Sequence, residues 1–265
     1  MVLPDEPLSG QPGVALCHAG TGDRRRRRRG DLCRGCAGAV QGKSVVIETR
    51  SPNFDDRPEG IPVDMLVLHY TGMPSAKAAL ERLCDPAAKV SAHYMIDEDG
   101  TVHALVAEDK RAWHAGVACW RGETDVNGRS VGIELVNPGH EFGYRPFPEA
   151  QMAALVELAG DILSRHPMPP GNVVGHADVA PARKQDPGEL FDWQGLAAAG
   201  IGLWPEASVK TKEAPGDAAN LLARYGYDIS DPAAAVIAFQ RHFRPGRIDG
   251  AADAETVSLL QALLG

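Results

Sequence analysis

Two short apolar runs, Met65-Leu-Val-Leu68 and Val173-Val174-Gly175, each lead directly into a histidine that is followed by a loop. Runs this short, bounded by turn signals such as Tyr70-Thr-Gly72, read as buried strands. A chain that contains them has to build a sheet around them. His69 and His176 then stand at strand ends, where a sheet delivers side chains into a crevice. A lone strand histidine is ordinarily a packing residue; two that end neighbouring strands can converge on one point.

The loop after His176 reads Ala-Asp-Val-Ala-Pro-Ala-Arg-Lys184-Gln-Asp186-Pro-Gly, and so places an ammonium and a carboxylate beside the imidazole. Asp186, just before Pro-Gly, would by itself be a turn aspartate. With His69 and His176 it completes three ligands from neutral nitrogens and a carboxylate oxygen. That is the donor set of a catalytic zinc site, which leaves one position for water and lowers its pKa toward ~7. Glu134 lies inside Ser130-Val-Gly-Ile-Glu-Leu-Val-Asn137, a run of strand character. A carboxylate there costs several kcal/mol unless it is paired, solvated in a cleft or close to a metal. Near zinc it is a candidate general base. Lys184, an ordinary surface lysine when taken alone, becomes a candidate for holding the negative oxygen of a tetrahedral intermediate.

These residues fall within five ordered runs: Leu68-His-Tyr-Thr-Gly72, Val90-Ser-Ala-His-Tyr94, Arg111-Ala-Trp-His-Ala-Gly116, Gly132-Ile-Glu-Leu135 and Gly175-His with Arg183-Lys-Gln-Asp-Pro-Gly188. Together they resemble the zinc-dependent N-acetylmuramoyl-L-alanine amidase family, type 2, the AmpD and AmiD kind. The resemblance implies a mixed sheet flanked by helices with one zinc per chain at its edge. It implies a hydrolase acting on a linear amide, the bond between the lactyl group of muramic acid and the first L-Ala of a peptidoglycan stem. Carried over by position, His69, His176 and Asp186 match the metal ligands and Glu134 and Lys184 the catalytic pair. Such an enzyme serves peptidoglycan turnover, cell-wall recycling or wall organisation in bacteria.

Other residues rank behind these. Trp113 and His114 match a motif that lines the substrate cleft, and Asn137, ending the Glu134 strand, is a candidate hydrogen-bonding partner for the peptide. His93 either orients a ligand from behind or packs as a strand histidine. His18, His103, His140, His166 and His242 belong to no constellation.

At 265 residues with 44% hydrophobic side chains, the chain can bury one substantial core and carry a small second unit. Its formal charge of −8 argues against nucleic acid as a partner. No run approaches the ~18 apolar residues of a membrane span. Five cysteines suggest no disulfide framework, and Cys33-Arg-Gly-Cys36 is at most half of a structural zinc site.

Residues 1–44 are rich in Gly, Ala, Arg and Pro, with Arg24–Arg29 consecutive, and read as a disordered segment. Functional readings are a polyanion-binding arm or the basic start of a secretion signal. The second fails for want of an apolar core, and Cys36 lacks the small or apolar neighbours of a lipid-attachment site. A third reading is an overextended gene start, with Val45 standing at the true one.

The catalytic domain is expected over 45–205: a helix at Ser75–Cys84, strands Val90–Asp97 and Thr101–Val106 forming a hairpin, a central strand Ser130–Val136, a helix over Pro148–Arg165 and another near Asp192–Ala199. The alternation gives an α/β class. Residues 206–217 read as a polar linker. Three short amphipathic helices follow in 218–265, near Ala218–Arg224, Pro232–His242 and Asp253–Leu264. Phe239-Gln240, Gly246-Arg-Ile-Asp-Gly250 and Thr256 resemble the small helical peptidoglycan-binding module. The segment either binds wall or caps the catalytic domain, and is too small to hold much core alone.

Two classes of function remain, a zinc amidase of peptidoglycan or muropeptides and a recognition protein that binds them without cutting. A binder has no need of all five site residues, which favours the enzyme. A monomer acting in the cytoplasm is expected, with a periplasmic or outer-membrane-associated site as the alternative if the true N-terminus differs.

Overall fold

Alternating contacts on the two faces of one strand organise the molecule. In the computed structural model, which describes residues 45–205 and 218–265, β3 (Met65–Tyr70) presents Leu66 and Leu68 to one hydrophobic cluster and Met65 and Val67 to another. A strand alternates its side chains between faces, so an unbroken apolar run means that both are covered. The disordered-arm and linker readings, and Cys33-x-x-Cys36, lie outside the described residues.

The sheet around β3 has six strands. Its order runs from β1 (Val46–Glu48) through β5 (Val102–Ala104), β4 (Tyr94–Ile96), β7 (Ser130–Leu135) and β3 to β8 (Val173–Gly175). Only β4 and β5 pair antiparallel; the other four pairings are parallel, so the sheet is mixed as expected. A separate antiparallel ribbon joins β2 (Phe54–Asp56) to β6 (Lys110–Ala112). The register of β3 against β7 sets His69 opposite Glu134.

Helix α4 (Glu149–Arg165) packs Leu155, Ala159 and Ile162 onto Leu66, Leu68, Ile133 and Leu135, with Trp193 and Leu196 of α6 (Trp193–Ala198) in the same cluster. Helix α1 (Ala76–Cys84) follows the first histidine loop; the Ser75 hydroxyl accepts the Ala78 amide and caps it. The opposite face of the sheet is covered by α7 (Ala218–Tyr225), α8 (Pro232–Phe243) and α9 (Ala254–Leu264). Leu222, Phe239, Val257 and Leu260 share one buried cluster with Met65, Val67 and Val174. Gly42–Gly265 accordingly forms one compact unit.

Two expectations need correction. The strand expected over Val90–Asp97 begins only at Tyr94, because the His93 ring, in place of a ladder carbonyl, accepts the Gly132 amide at Nδ1 (3.0 Å). His176 does not enter a loop; it opens a single helical turn, α5 (His176–Val179). Strands β1, β2 and β6 escaped the sequence reading, being three residues each, with β1 and β2 exposed throughout.

The shared cluster predicts that residues 45–205 expressed alone lose the cover over Met65, Val67 and Val174. That fragment should bind a hydrophobic dye and lack near-ultraviolet circular dichroism, and Phe239→Ala in the full chain should cost about 3–5 kcal/mol of stability in urea unfolding. A cooperative melt of the fragment at the full chain's temperature would contradict the prediction.

Candidate active site

At the carboxyl ends of β3 and β8 the three expected ligands meet. His69 Nδ1 and His176 Nδ1 are 2.9 Å apart, and each lies 3.1 Å from Asp186 Oδ2. All three residues are buried. Asp186 is brought in by its own backbone, since its carbonyl accepts the Ala177 amide (2.8 Å) and so ties the returning loop to α5.

The neighbours decide which ring nitrogens carry protons. The Ala115 carbonyl can only accept, so His176 Nε2 donates to it (2.9 Å) and Nδ1 keeps a bare lone pair. A longer chain settles His69. The Ser130 hydroxyl donates to the Val126 carbonyl (2.6 Å) and so accepts from His114 Nε2 (3.1 Å). His114 Nδ1, thereby unprotonated, accepts from His69 Nε2 (3.0 Å), which leaves His69 Nδ1 bare as well. Two imidazole lone pairs and a carboxylate oxygen therefore point at one spot with no proton to share among them. Among hydrogen bonds alone that arrangement is repulsive; around a cation it is the ordinary first coordination shell, with each outer nitrogen fixed by a partner.

Charge agrees with geometry. Burial, then the neighbouring His176, holds the His69 imidazole down to about 4, in the neutral form that ligation requires. Burial would raise the Asp186 carboxyl, and positive charge at the cluster, on His176 and His69 when they are protonated, keeps it ionised well below the usual carboxylate range; with both rings neutral that charge has to come from a bound cation. Glu134 is half-buried beside them, and its Oε2 has no hydrogen-bond partner. Burial, reinforced by the Asp186 charge and eased by Lys184, pushes its pKa well above the usual value. Lys184 is exposed and lines the same cleft of about 500 Å³ as Glu134, Asp186, Trp113 and Arg82.

The expected substrate contacts divide. Trp113 lines the cleft, its indole Nε1 donating to Asp55 Oδ1 (3.1 Å). His114 reaches the cleft wall, yet both of its nitrogens are taken by His69 and Ser130, so it braces the His69 ring and has no free nitrogen for substrate. Gly132 makes this approach possible, because a Cβ there would stand 2.5 Å from His114 Cγ. Asn137 is buried with its amide donating to the Arg145 carbonyl (2.7 Å) and accepting from Gly139 N (3.0 Å). It shapes the loop after β7 instead of facing the cleft. His93 touches no ligand; its Nε2 faces the Lys110 carbonyl (3.1 Å). His242, set aside in the sequence, is bonded to Asp178 (2.7 Å), two residues beyond His176. No sequence signal marks that pair, because 64 residues separate them.

Comparison with known proteins places the chain among relatives of one kind. The family model described as N-acetylmuramoyl-L-alanine amidase matches residues 59–189. The N-acetylmuramoyl-L-alanine amidase AmiD of Escherichia coli (strain K12) is 40% identical over 260 residues, covering 88% of this chain and 92% of the relative. The 1,6-anhydro-N-acetylmuramyl-L-alanine amidase AmpD of Haemophilus influenzae is 33% identical, covering 56% of this chain and 88% of its own. Among solved structures, E. coli AmiD in complex with the substrate anhydro-N-acetylmuramic acid-L-Ala-D-gamma-Glu-L-Lys superposes with a TM-score of 0.70 at 38% identity. It covers 80% of this chain and 97% of that one.

His93 carries a pH prediction. Burial, then the Arg57 guanidinium, holds its pKa down to about 3 against an unfolded value of 6.5. The unfolded chain therefore binds one more proton between those limits. Stability is complete above pH 6.5 and falls by about 1.4 kcal/mol per pH unit as pH drops toward 3. Urea unfolding across that range should show His93→Gln less stable at pH 8 but with a slope smaller by one proton; an unchanged slope would mean that His93 is not buried neutral.

Proposed function

Because this chain belongs to the N-acetylmuramoyl-L-alanine amidase family, we propose that His69, His176 and Asp186 hold one zinc ion and that Glu134 and Lys184 carry out the chemistry around it. The enzyme hydrolyses the amide between the lactyl group of N-acetylmuramic acid and the L-alanine of a peptidoglycan stem. The observation that carries the site assignment is the convergence of three unprotonated ligand atoms, 2.9–3.1 Å apart, beside a buried carboxylate oxygen without a partner. Two nitrogens and an oxygen, with a fourth side open to the cleft, suit zinc as it is held in hydrolases.

Zinc when bound supplies a Lewis acid that makes water nucleophilic near neutral pH and polarises a carbonyl. The remaining work falls to the chain's own groups. Glu134 takes a proton from the attacking water as its oxygen bonds to the lactyl carbonyl carbon. The same proton then passes to the alanine nitrogen as the carbon–nitrogen bond breaks, so that carboxylic acid and free amine are formed and Glu134 is restored. A carboxyl biased toward its protonated form by burial is suited to keep that proton between the two steps. Lys184, a cation lining the same cleft, balances the negative charge that develops on the carbonyl oxygen. Trp113 offers an apolar face to the sugar or lactyl group.

Retention of all five residues favours hydrolysis over simple recognition of muropeptide, since binding requires neither Glu134 nor Lys184. Soluble muropeptides, anhydro or reducing-end, are the proposed substrates, and a monomer the proposed form. Among the described residues no helix is long and apolar enough to cross a membrane. Action in the cytoplasm is the proposed setting, with a periplasmic or outer-membrane-associated enzyme as the alternative, and cell fractionation separates them.

His69→Ala and His176→Ala should each lose zinc and activity together; one equivalent of zinc with full turnover in either would overturn the ligand assignment. Glu134→Gln and Lys184→Met should fold, keep zinc and bind substrate while single-turnover rates fall by ~10²-fold or more, because both act in the transition state. Mass spectrometry of products from anhydro and reducing-end muropeptides offered together reads out both the bond cleaved and the preferred substrate.

A further inference from the structure

Asp178 is a fully buried carboxylate, 2% exposed, in the single turn that begins with His176. Its Oδ2 accepts the amide of Gly175 (2.7 Å), the residue immediately before the ligand histidine. Its other donors come from the C-terminal segment: the Tyr227 hydroxyl to Oδ1 (2.5 Å) and His242 Nδ1 to Oδ2 (2.7 Å). The His242 ring stacks on Trp193 at 3.7 Å and 17°, which keeps it from turning away. Its neighbour on α8, Arg241, approaches Glu189 at 3.6 Å, three residues beyond Asp186. One helix therefore reaches both the turn that begins with His176 and the loop that follows Asp186.

The motif that suggests a wall-binding module is meanwhile used internally. Gln240 Oε1 accepts the amides of Asp249 (3.0 Å) and Gly250 (2.8 Å), and its Nε2 donates to the Ala251 carbonyl (2.9 Å). The Thr256 hydroxyl bonds to Asp253 within the same module (3.0 Å). These residues build the turn between α8 and α9.

We propose that Tyr227 and His242 are positioning residues for the metal site: through Asp178 they hold the turn 175–178 so that His176 Nδ1 faces Asp186 and His69, making the C-terminal helices part of the hydrolytic centre. A four-residue helix contains too few of its own hydrogen bonds to keep one orientation, and a buried carboxylate keeps its place only while its donors do. The proposal rests on the reading of His69, His176 and Asp186 as zinc ligands. Partners standing behind a ligand histidine commonly set metal affinity within a factor of about 10–100.

The test uses the full chain with Tyr227→Phe, His242→Phe, the double variant and His242→Asn. Phenylalanine keeps the stack on Trp193 but removes the donor, and the asparagine amide nitrogen can occupy the place of Nδ1. Zinc affinity is measured by competition with a chromophoric chelator, and kcat/KM on a soluble muropeptide beside it. The double variant should lose zinc affinity by ~10–100-fold with a matching fall in kcat/KM, while the far-ultraviolet spectrum of the metal-free protein is unchanged; His242→Asn should recover most of the loss. Wild-type zinc affinity in every folded variant, with only the melting temperature lowered, would reduce the network to a structural pin and overturn the proposal. If His242→Phe does not fold, Tyr227→Phe, which removes one oxygen atom, carries the same readouts. A wild-type chain without zinc would instead overturn the ligand assignment, and the proposal with it.

Discussion

Three unprotonated ligand atoms held about 3 Å apart repel one another, and much of the fold can be understood as the apparatus that keeps them there. His69 lies in β3 and His176 follows directly on β8, and the parallel backbone ladder between the two strands fixes the spacing of the histidines. Each imidazole is then fixed through its far nitrogen, His176 by the Ala115 carbonyl and His69 by the relay of His114, Ser130 and the Val126 carbonyl. The relay ends on a backbone acceptor that has no proton to give. Its direction is therefore determined from that end inward, and the bare lone pairs at the centre are a consequence of it.

Two carboxylates close to the site, Asp178 buried and Glu134 half-buried, show how pairing assigns roles. Asp178 is surrounded by donors and is a fixture. Glu134 sits on the strand beside His69 with one oxygen unpaired. An unpaired buried polar atom costs roughly 1–3 kcal/mol, a penalty that a structural residue would avoid by rotating to a donor or by substitution. Glu134 lines the same cleft as Lys184, where a carboxyl free of partners is able to exchange a proton with substrate and water.

The C-terminal helices serve the same centre from behind. They share one buried cluster with Met65, Val67 and Val174 of β3 and β8, so residues beyond 217 help to cover that face of both strands. Parallel strands buried on both faces need two covering layers. Here α4 and α6 supply one, and α7, α8 and α9 the other.

Local chemistry in the chain was sufficient for much of this. Apolar runs ending in His69 and His176, a glutamate inside an apolar strand and the spacing of Lys184 and Asp186 pointed to the family and to the three residues that the fold brings together, because strand periodicity and side-chain chemistry are properties of neighbouring residues. Only the tertiary structure decided that His114 is spent on His69, that Asn137 is spent on Arg145 and Gly139, and that His242 pairs with Asp178. Each of these depends on which polar group meets which across the fold. Hydrogen-bond partners 45 or 64 residues apart leave no periodic trace, and a histidine that orients a ligand has the same sequence signature as one that packs in a core.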